Sequence, residues 1–162
     1  MLPFYGAFIS EEKCQLFGDV SGKKMLEIGC GNGQSLQYQG DRKASELWGM
    51  DISEKQIEKA EQYLTTCGLS AKLICSPMEE ECNIPVDYFD FVYSIYAIGW
   101  TTDLVGTFRR IASYLKKTAS LFSVGLILYT NVLLKRIIDL FLTSVISMNL
   151  GIPFLLIYVK AR

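Results

Sequence analysis

Histidine is absent from all 162 residues, and its absence removes every Ser-His and Cys-His nucleophilic arrangement. Five cysteines, Cys14, Cys30, Cys67, Cys75 and Cys82, make an odd number with no C-x-x-C pair. They argue against a zinc site and against a disulfide framework, and read as reduced thiols in a cytoplasmic chain. An excess of either charge is missing as well. Lys plus Arg is 16 against 17 Asp plus Glu, giving a net charge of −1 and a pI near 5.5. Nothing here would hold a phosphate backbone, so the composition points to a small-molecule partner and away from nucleic acid. The N-terminus has no basic region followed by an apolar one, and no secretory signal is read.

What is present is one domain's length of chain, 50% apolar, enough for a single sizeable core and too hydrophobic for disorder. The charge is unevenly spread. Residues 1–117 carry nearly all of it, and 118–162 hold only Lys135, Arg136, Asp139, Lys160 and Arg162. The two parts need separate explanations.

The first part is organised around Met25 to Gly33, M-L-E-I-G-C-G-N-G. Met25, Leu26 and Ile28 form a short buried run. Gly29, Gly31 and Gly33 then open every second position, so the backbone can turn with no Cβ to block a ligand. A dinucleotide fingerprint, G-x-G-x-x-G, would need glycine at 34, where Gln34 stands; an NAD-dependent oxidoreductase is disfavoured accordingly. With Glu27 two residues ahead, the stretch reads E-x-G-x-G-x-G and resembles motif I of the class I S-adenosyl-L-methionine (SAM)-dependent methyltransferases, of the methyltransferase type 11 kind. The resemblance implies that Gly29, Cys30, Gly31, Asn32 and Gly33 approach the methionine moiety of SAM while Glu27 helps to shape its pocket. A glycine turn that only packs a strand on a helix is the competing reading.

The following segments extend the resemblance. Gln34 to Gln39 starts a helix whose N-terminal N–H groups face the ligand carboxylate. Glu46 to Met50 is a second strand ending in Asp51-Ile52-Ser53. An acidic residue at that tip, about 20 residues past the glycine turn, is placed to accept both ribose hydroxyls. Asp51 could instead cap the next helix, but Ser53 is better placed to cap Glu54 to Thr66, with Gln56 at the reciprocal position, leaving Asp51 for the ligand. Ile52 would pack on the adenine. The helix shows Ile57, Ala60, Tyr63 and Leu64 on one face and ends at Gly68.

Ala71 to Cys75 reads as the third strand. Family members often have an acidic residue just after it for the adenine amino group; here Ser76 stands there, and Met78 and Glu79 are candidates to share the role. For Glu79, Glu80 and Glu81 a solvated acidic run is the alternative. Val86 to Ser94 resembles motif IV, with Asp90 in a packing and hydrogen-bonding position and Ser94 at the carboxyl edge, where open α/β sheets bind ligands. Beyond it Tyr96 and Trp100 could wall the space between methyl group and acceptor, or form an aromatic seam between helix and strand. The segment has no N-P-P-Y or D-P-P-Y, which enzymes acting on exocyclic base nitrogens would show. Thr101-Thr102-Asp103 caps a helix through Tyr114, with Leu104, Phe108, Ile111, Ala112 and Leu115 on one side and Lys116-Lys117 at its C-terminus. Ahead of motif I, Ser10 caps a short helix Glu11 to Leu16, stopped by Gly18. The resemblance makes residues 1–20 a lid-like segment with Tyr5 and Phe8 as lid candidates; core or interface packing is the other use.

The tail, 118–162, admits three readings. Ser120 to Tyr129 is apolar enough for the fifth strand, without the expected glycine turn. Ile137 to Val159 is about one bilayer crossing long, broken by Asp139 and Pro153 and flanked by basic residues, as a membrane anchor would be. Finally, codons for Thr118 to Tyr129 regrouped one base earlier permit D-G-V-F-I-F-S-W-x-x-P-L, the glycine turn and strand the family leads one to expect, which suggests a reading-frame change near codon 118.

The resulting expectation is a doubly wound, Rossmann-like, mostly parallel α/β sheet in which 1–117 form a SAM-binding domain and the final strands are absent or replaced. Its expected function is methyl transfer from SAM to a small-molecule acceptor. The alternatives are a SAM-binding domain without turnover and a protein anchored in a membrane through 137–159. Because the sulfonium is already activated, such a site mainly aligns acceptor, methyl and sulfur and excludes water, and no general base is named.

Overall fold

The computed structural model describes residues 4–5, 9–10, 17–125, 145–149 and 155–160. The short helix expected at Glu11 to Leu16 lies outside them, as do Phe8 and Cys14. Of the lid-like segment, β1 (Phe4–Tyr5) pairs antiparallel with β2 (Ile9–Ser10); the side chain of Tyr5 is outside the described atoms.

The glycine-headed strand is the hub of the molecule. Apolar Met25, Leu26 and Ile28 make β3 (Lys24–Ile28) buried on both faces, the pattern of an inner parallel strand. After the turn come α1 (Gln34–Asp41), β4 (Glu46–Asp51), α2 (Glu54–Thr66), β5 (Lys72–Cys75) and β6 (Phe89–Ile95). A short 3-10 turn at Ile98–Trp100, α3 (Leu104–Tyr114) and β7 (Leu115–Gly125) follow. The sheet order is β5-β4-β3-β6-β7-β9-β8, where β8 is Val145–Asn149 and β9 is Leu155–Lys160. The first five strands are parallel; β9 runs antiparallel to β7, and β8 to β9.

From β3 the chain winds outward first through β4 and β5, then returns to β6 on the other side. Loops leaving the carboxyl ends of β3 and β6 therefore part in opposite directions and open a crevice there. Two cores hold the helices on the sheet. Leu26, Ile28, Met50, Phe89 and Val92 pack with Phe108, Ile111 and Tyr114 of α3. On the other face Met25, Leu47 and Tyr93 pack with Phe17, Val20, Leu36 and Leu64.

Three local expectations are corrected. Ser53 is the N-cap residue of α2, but its side chain makes no capping bond; its backbone N–H is instead held by Asp51 Oδ1 at 2.9 Å. Asp103 does cap α3, accepting from Gly106 N at 2.9 Å. That helix, however, ends at Tyr114, so Lys116 and Lys117 already lie in β7 and serve no helix terminus. The fifth strand begins at Leu115, ahead of the expected Ser120, and pairs with β6 through Val92 and Leu121.

The far edge also differs from the expectation of a sheet incomplete at its C-terminus. Val145–Asn149 and Leu155–Lys160 form an antiparallel pair that continues the sheet beyond β7. Both are rich in β-branched and large apolar residues suited to a pleated surface, and β9 takes up the outer hydrogen-bonding edge of β7. Of the 137–159 span read as a membrane anchor, the described residues 145–149 and 155–159 are strand, and among the described residues no helix is long and apolar enough to cross a membrane.

Asp90 fastens the amino ends of three strands. It accepts from Lys24 N of β3 at 2.9 Å and from Lys116 Nζ of β7 at 2.9 Å. Burial raises its pKa, but the Lys24 N–H and the Lys116 ammonium outweigh burial and hold the carboxyl below its ordinary value. Asp90→Ala is expected to lower the unfolding free energy by about 1–3 kcal/mol, as for the loss of a hydrogen-bonded charge. Urea denaturation measures this. Because the folded pKa is depressed, the difference from wild type is full at neutral pH. It closes as the pH falls below the ordinary aspartate range through the lowered value.

Candidate functional site

The glycine turn is built from three left-handed residues, with φ of +74° at Gly29, +51° at Gly31 and +81° at Gly33. Their neighbours separate their roles. A Cβ at Gly29 would stand 2.0 Å from the Cβ of Ala97, and one at Gly33 would meet Ala60 of α2 at 3.2 Å. At Gly31 a Cβ would meet nothing within 4 Å. The packing explanation therefore accounts for Gly29 and Gly33, and of the three only Gly31 opens onto empty space.

The end of β4 holds the turn. Met50 O accepts from Gly29 N at 2.8 Å and from Cys30 N at 2.9 Å. Asp51 Oδ2 accepts from Gly31 N at 2.9 Å, while its other oxygen takes Ser53 N. Asp51 is thus not left wholly to a ligand: it binds the turn and the head of α2 together. Each oxygen still has a second lone pair for a hydroxyl donor.

Beside this junction lies a cavity of about 390 Å³. Gly29, Asp51 and Ile52 form one side, Ser76, Met78 and Glu79 a second, and Tyr96 with Trp100 a third. Those sequence candidates are brought together around one cavity. Ile52 is 71% exposed and Trp100 85% exposed, large apolar side chains on the rim rather than in a core seam. Tyr96 sits at φ +61°, a left-handed conformation that costs a non-glycine residue energy and is typically retained where surrounding structure fixes it. Burial pushes its phenol pKa up, so the group stays protonated near neutrality and is not a base.

The other candidates stand off the cavity. Glu27 is buried behind the turn, where the Tyr93 hydroxyl donates to its Oε2 at 3.3 Å and Ser35 Oγ donates to the Tyr93 oxygen at 3.4 Å. Burial drives its carboxyl well above the ordinary range, against the hydrogen bonds from Tyr93 and Ser35. Cys30 is buried with its Sγ 3.9 Å from Gly31 O, and burial likewise raises its thiol. Asn32 is exposed and Gly33 buried. Ser94 is fully buried with its Oγ lacking a hydrogen-bond partner. In the acidic run, Glu80 and Glu81 are exposed, but Glu79 is not simply solvated: both its oxygens take threonine hydroxyls.

Met50, Pro77, Ile95, Ala97 and Thr102 complete the lining and were not read from the sequence. Thr102 was visible as part of a helix-cap segment, and Ala97 as a small residue between two aromatics. Neither pattern reveals a partner far away in the chain.

A doubly wound sheet with a glycine turn at its first crossover, a carboxylate at the neighbouring strand tip and an antiparallel far edge is the Rossmann-like architecture of the class I methyltransferases. Residues 26–123 match the family described as methyltransferase domain, well over half of the chain, and the chain belongs to that family. It is 32% identical over 117 residues to a sterol 24-C-methyltransferase of Aspergillus fumigatus, covering 70% of this chain and 31% of that protein. It is 32% identical over 98 residues to the aklanonic acid methyltransferase DauC of a Streptomyces species, covering 59% of this chain and 44% of that one. A Haemophilus influenzae protein without assigned function is 38% identical over 85 residues, 51% of this chain and 34% of its own length. The chain thus matches about a third of the first two curated relatives. In fold it resembles a SAM-dependent methyltransferase from Aquifex aeolicus at a TM-score of 0.78 and 17% identity, covering 94% of this chain and 89% of that one. One from Mesorhizobium loti gives 0.74 and 16%, with coverage of 91% and 94%.

The cofactor of this class is SAM, and the residues present fit it. Gly31 leaves open the space a Cβ would fill, Asp51 offers lone pairs beside it, and Ile52 and Met78 supply apolar surface for a planar ring.

Two substitutions separate packing from binding in the turn. Gly29→Ala combines a left-handed φ with a collision and is expected to cost several kcal/mol, the sum of about 1–2 for the backbone and about 1–3 for overpacking. Gly31→Ala meets no neighbour, so only about 1–2 kcal/mol of backbone strain is expected, together with loss of nucleoside affinity. Thermal melts and titration with S-adenosylhomocysteine read the two effects.

Proposed function

We infer that the chain binds SAM in the cavity beside the glycine turn and transfers its methyl group to a small organic acceptor. The observation that carries this reading is the Asp51 carboxylate bonded to Gly31 N at 2.9 Å on the wall of a largely apolar cavity. In this reading Asp51 receives the ribose hydroxyls, and Ile52 lies against the adenine face. Ser76, the Met78 backbone and Glu79 border its edge. Gly31 lets the amino-acid end of the ligand approach the backbone, with Cys30, Asn32, Gly33 and the N-terminus of α1 beside it. Gly29 lines the pocket, and Glu27 and Ser94 then support it from behind.

SAM, when bound, supplies an activated methyl group on sulfur. The task left to the chain is alignment and exclusion of water. Tyr96 and Trp100 wall the side from which an acceptor would enter, and Tyr5 belongs to the segment that could cover it. No side chain is assigned as a general base, and the protonated phenol of Tyr96 does not suggest one.

The named substrates of the curated relatives, a sterol and aklanonic acid, support a small organic acceptor over a macromolecule. The balanced net charge of −1 fits that choice, and the free thiols of Cys30, Cys67, Cys75 and Cys82 fit a cytoplasmic location. We take 1–117 as the cofactor-binding part and 118–162 as the part that completes the sheet edge. A domain that binds SAM without turnover is the second reading, favoured by the match to only a third of the first two curated relatives.

Calorimetric titration with SAM and S-adenosylhomocysteine, followed by transfer of labelled methyl to sterol and polyketide acceptors, tests both readings. Binding with transfer supports the first and binding alone the second; no binding by the wild type refutes both. Asp51→Ala is expected to weaken binding about 10–100-fold, the effect of losing hydrogen bonds to a charged group.

A further inference from the structure

Glu79 is an acidic lining residue whose carboxylate is hydrogen-bonded to the segment that carries another part of the lining. Its Oε1 accepts from Thr102 Oγ1 at 2.7 Å and its Oε2 from Thr101 Oγ1 at 3.2 Å. Its backbone oxygen accepts from Arg110 Nε of α3 at 2.9 Å. Thr101 Oγ1 also lies 2.8 Å from Thr107 Oγ1 and accepts from Asp103 N at 3.2 Å. A hydroxyl has a single proton. Since Thr101 gives its proton to Glu79, the fully buried Thr107 must be the donor in the threonine pair. The chain of bonds therefore runs in one sense, Thr107 to Thr101 to Glu79, and ends on a charge.

We propose that Glu79 is a positioning residue that latches the segment carrying Tyr96 and Trp100 onto the segment carrying Ser76 to Met78, fixing two walls of the cavity relative to one another. The proposal rests on the cofactor reading above and gives Glu79 a role additional to bordering the adenine.

Apart from that carboxylate, Arg110 Nε on Glu79 O and the packing of Met78 against the core cluster that contains Ile98 also join the two sides; the remaining bonds lie within each side. Residues 97–101 are held by Trp100 N to Ala97 O at 2.9 Å, Thr101 N to Ile98 O at 3.3 Å, and the buried side chain of Ile98. The far side is held by Ser76 N to Asp51 O at 3.0 Å. Neither of these sets of bonds joins the two segments; the hydrogen bonds of the Glu79 carboxylate do. Its charge makes both threonine bonds stronger than neutral ones. Those bonds, Thr102 foremost, hold its pKa below the ordinary carboxylate value against the effect of burial. The carboxylate is accordingly ionised, and both threonine bonds are charge-assisted, throughout the neutral range.

The test uses the full chain with Glu79→Ala, Glu79→Gln, Thr102→Val and the Glu79→Ala/Thr102→Val double variant. Two readouts are followed: hydrogen exchange of the Trp100 and Thr101 amides in the ligand-free protein, and affinity for S-adenosylhomocysteine. Glu79→Ala is expected to speed exchange and weaken binding, each roughly tenfold for two lost charge-assisted bonds in a partly exposed site. Glu79→Gln, which can still accept one hydroxyl proton, falls between it and wild type. Thr102→Val falls short of Glu79→Ala, and the double variant is no worse than Glu79→Ala alone, because the bond it deletes is already gone. Unchanged exchange in Glu79→Ala, or additive effects in the double variant, overturns the latch. Failure of the wild type to bind the nucleoside overturns the cofactor reading instead, and the exchange data still decide the latch.

Discussion

The carboxylate of Asp51 holds two backbone N–H groups from different segments, Gly31 in the turn after β3 and Ser53 at the head of α2, each at 2.9 Å. Parallel pairing of β3 with β4 brings Ile28 level with Met50, so the glycine turn emerges beside the tip that carries Asp51. With Met50 O taking the N–H groups of Gly29 and Cys30, three bonds fix the shape of the turn from outside it. Three left-handed glycines at alternate positions have little conformational preference of their own; the neighbouring strand supplies it. Charge-assisted bonds to backbone N–H groups are short and directional, which suits a carboxylate to this task. The same carboxylate is therefore both a structural fastener of the turn and part of the cavity wall.

The turn then sets what the loop after β6 can be. Gly29 has no Cβ because Ala97 occupies that space, and Ala97 is itself followed by Ile98, which is buried in the core against α3. Between Ile95 and Ala97 the chain has one residue in which to leave the strand and descend onto the glycine, and Tyr96 makes the bend at φ +61°. Glycine would adopt that conformation more easily. A tyrosine there keeps a bulky ring on the cavity wall at some cost in backbone energy, a trade common at binding sites. Close packing of Gly29 with Ala97 and the bend at Tyr96 are thus one constraint seen from its two sides.

Much of this was legible because local patterns carried it. The helix Glu54–Thr66 has the bounds that its serine start and glycine stop announce, and the strand tip at Asp51 follows from an apolar run ending in a carboxylate. What stayed illegible depended on contacts distant in sequence. Nothing near Gly29 indicates that Ala97 will fill its Cβ space, so a packing glycine and a binding glycine look alike. The capping preference of serine predicted a side-chain bond at Ser53 that is not made, whereas the Asp51 carboxylate holds the Ser53 N–H. Lys116 looks like a helix-terminal cation until Asp90, on another strand, claims it at 2.9 Å. In the tail, length and apolarity alone suggested a bilayer crossing. Strand pairing is non-local, and only the open edge of β7 shows what Leu155–Lys160 can bond to.

The two ends of the strands divide the work of the sheet. At the amino ends polar groups satisfy one another: Glu46 receives Lys24 at 3.2 Å, the Tyr88 hydroxyl at 2.8 and 2.9 Å, and Trp48 Nε1 at 3.1 Å. Lys24 also lies 3.7 Å over the Tyr88 ring, and Lys72 lies 4.5 Å over Trp48. Little acceptor capacity is left over for a ligand there. At the carboxyl ends the balance reverses: Asp51 keeps lone pairs, the hydroxyl of Ser76 donates only to the adjacent Pro77 O at 3.3 Å, and Ile52 and Trp100 stay exposed. A chain that winds outward from a central strand cannot close over both edges equally, and the loops part at the carboxyl end. Stability gathers where the groups are mutually saturated, and binding capacity is left where they are not.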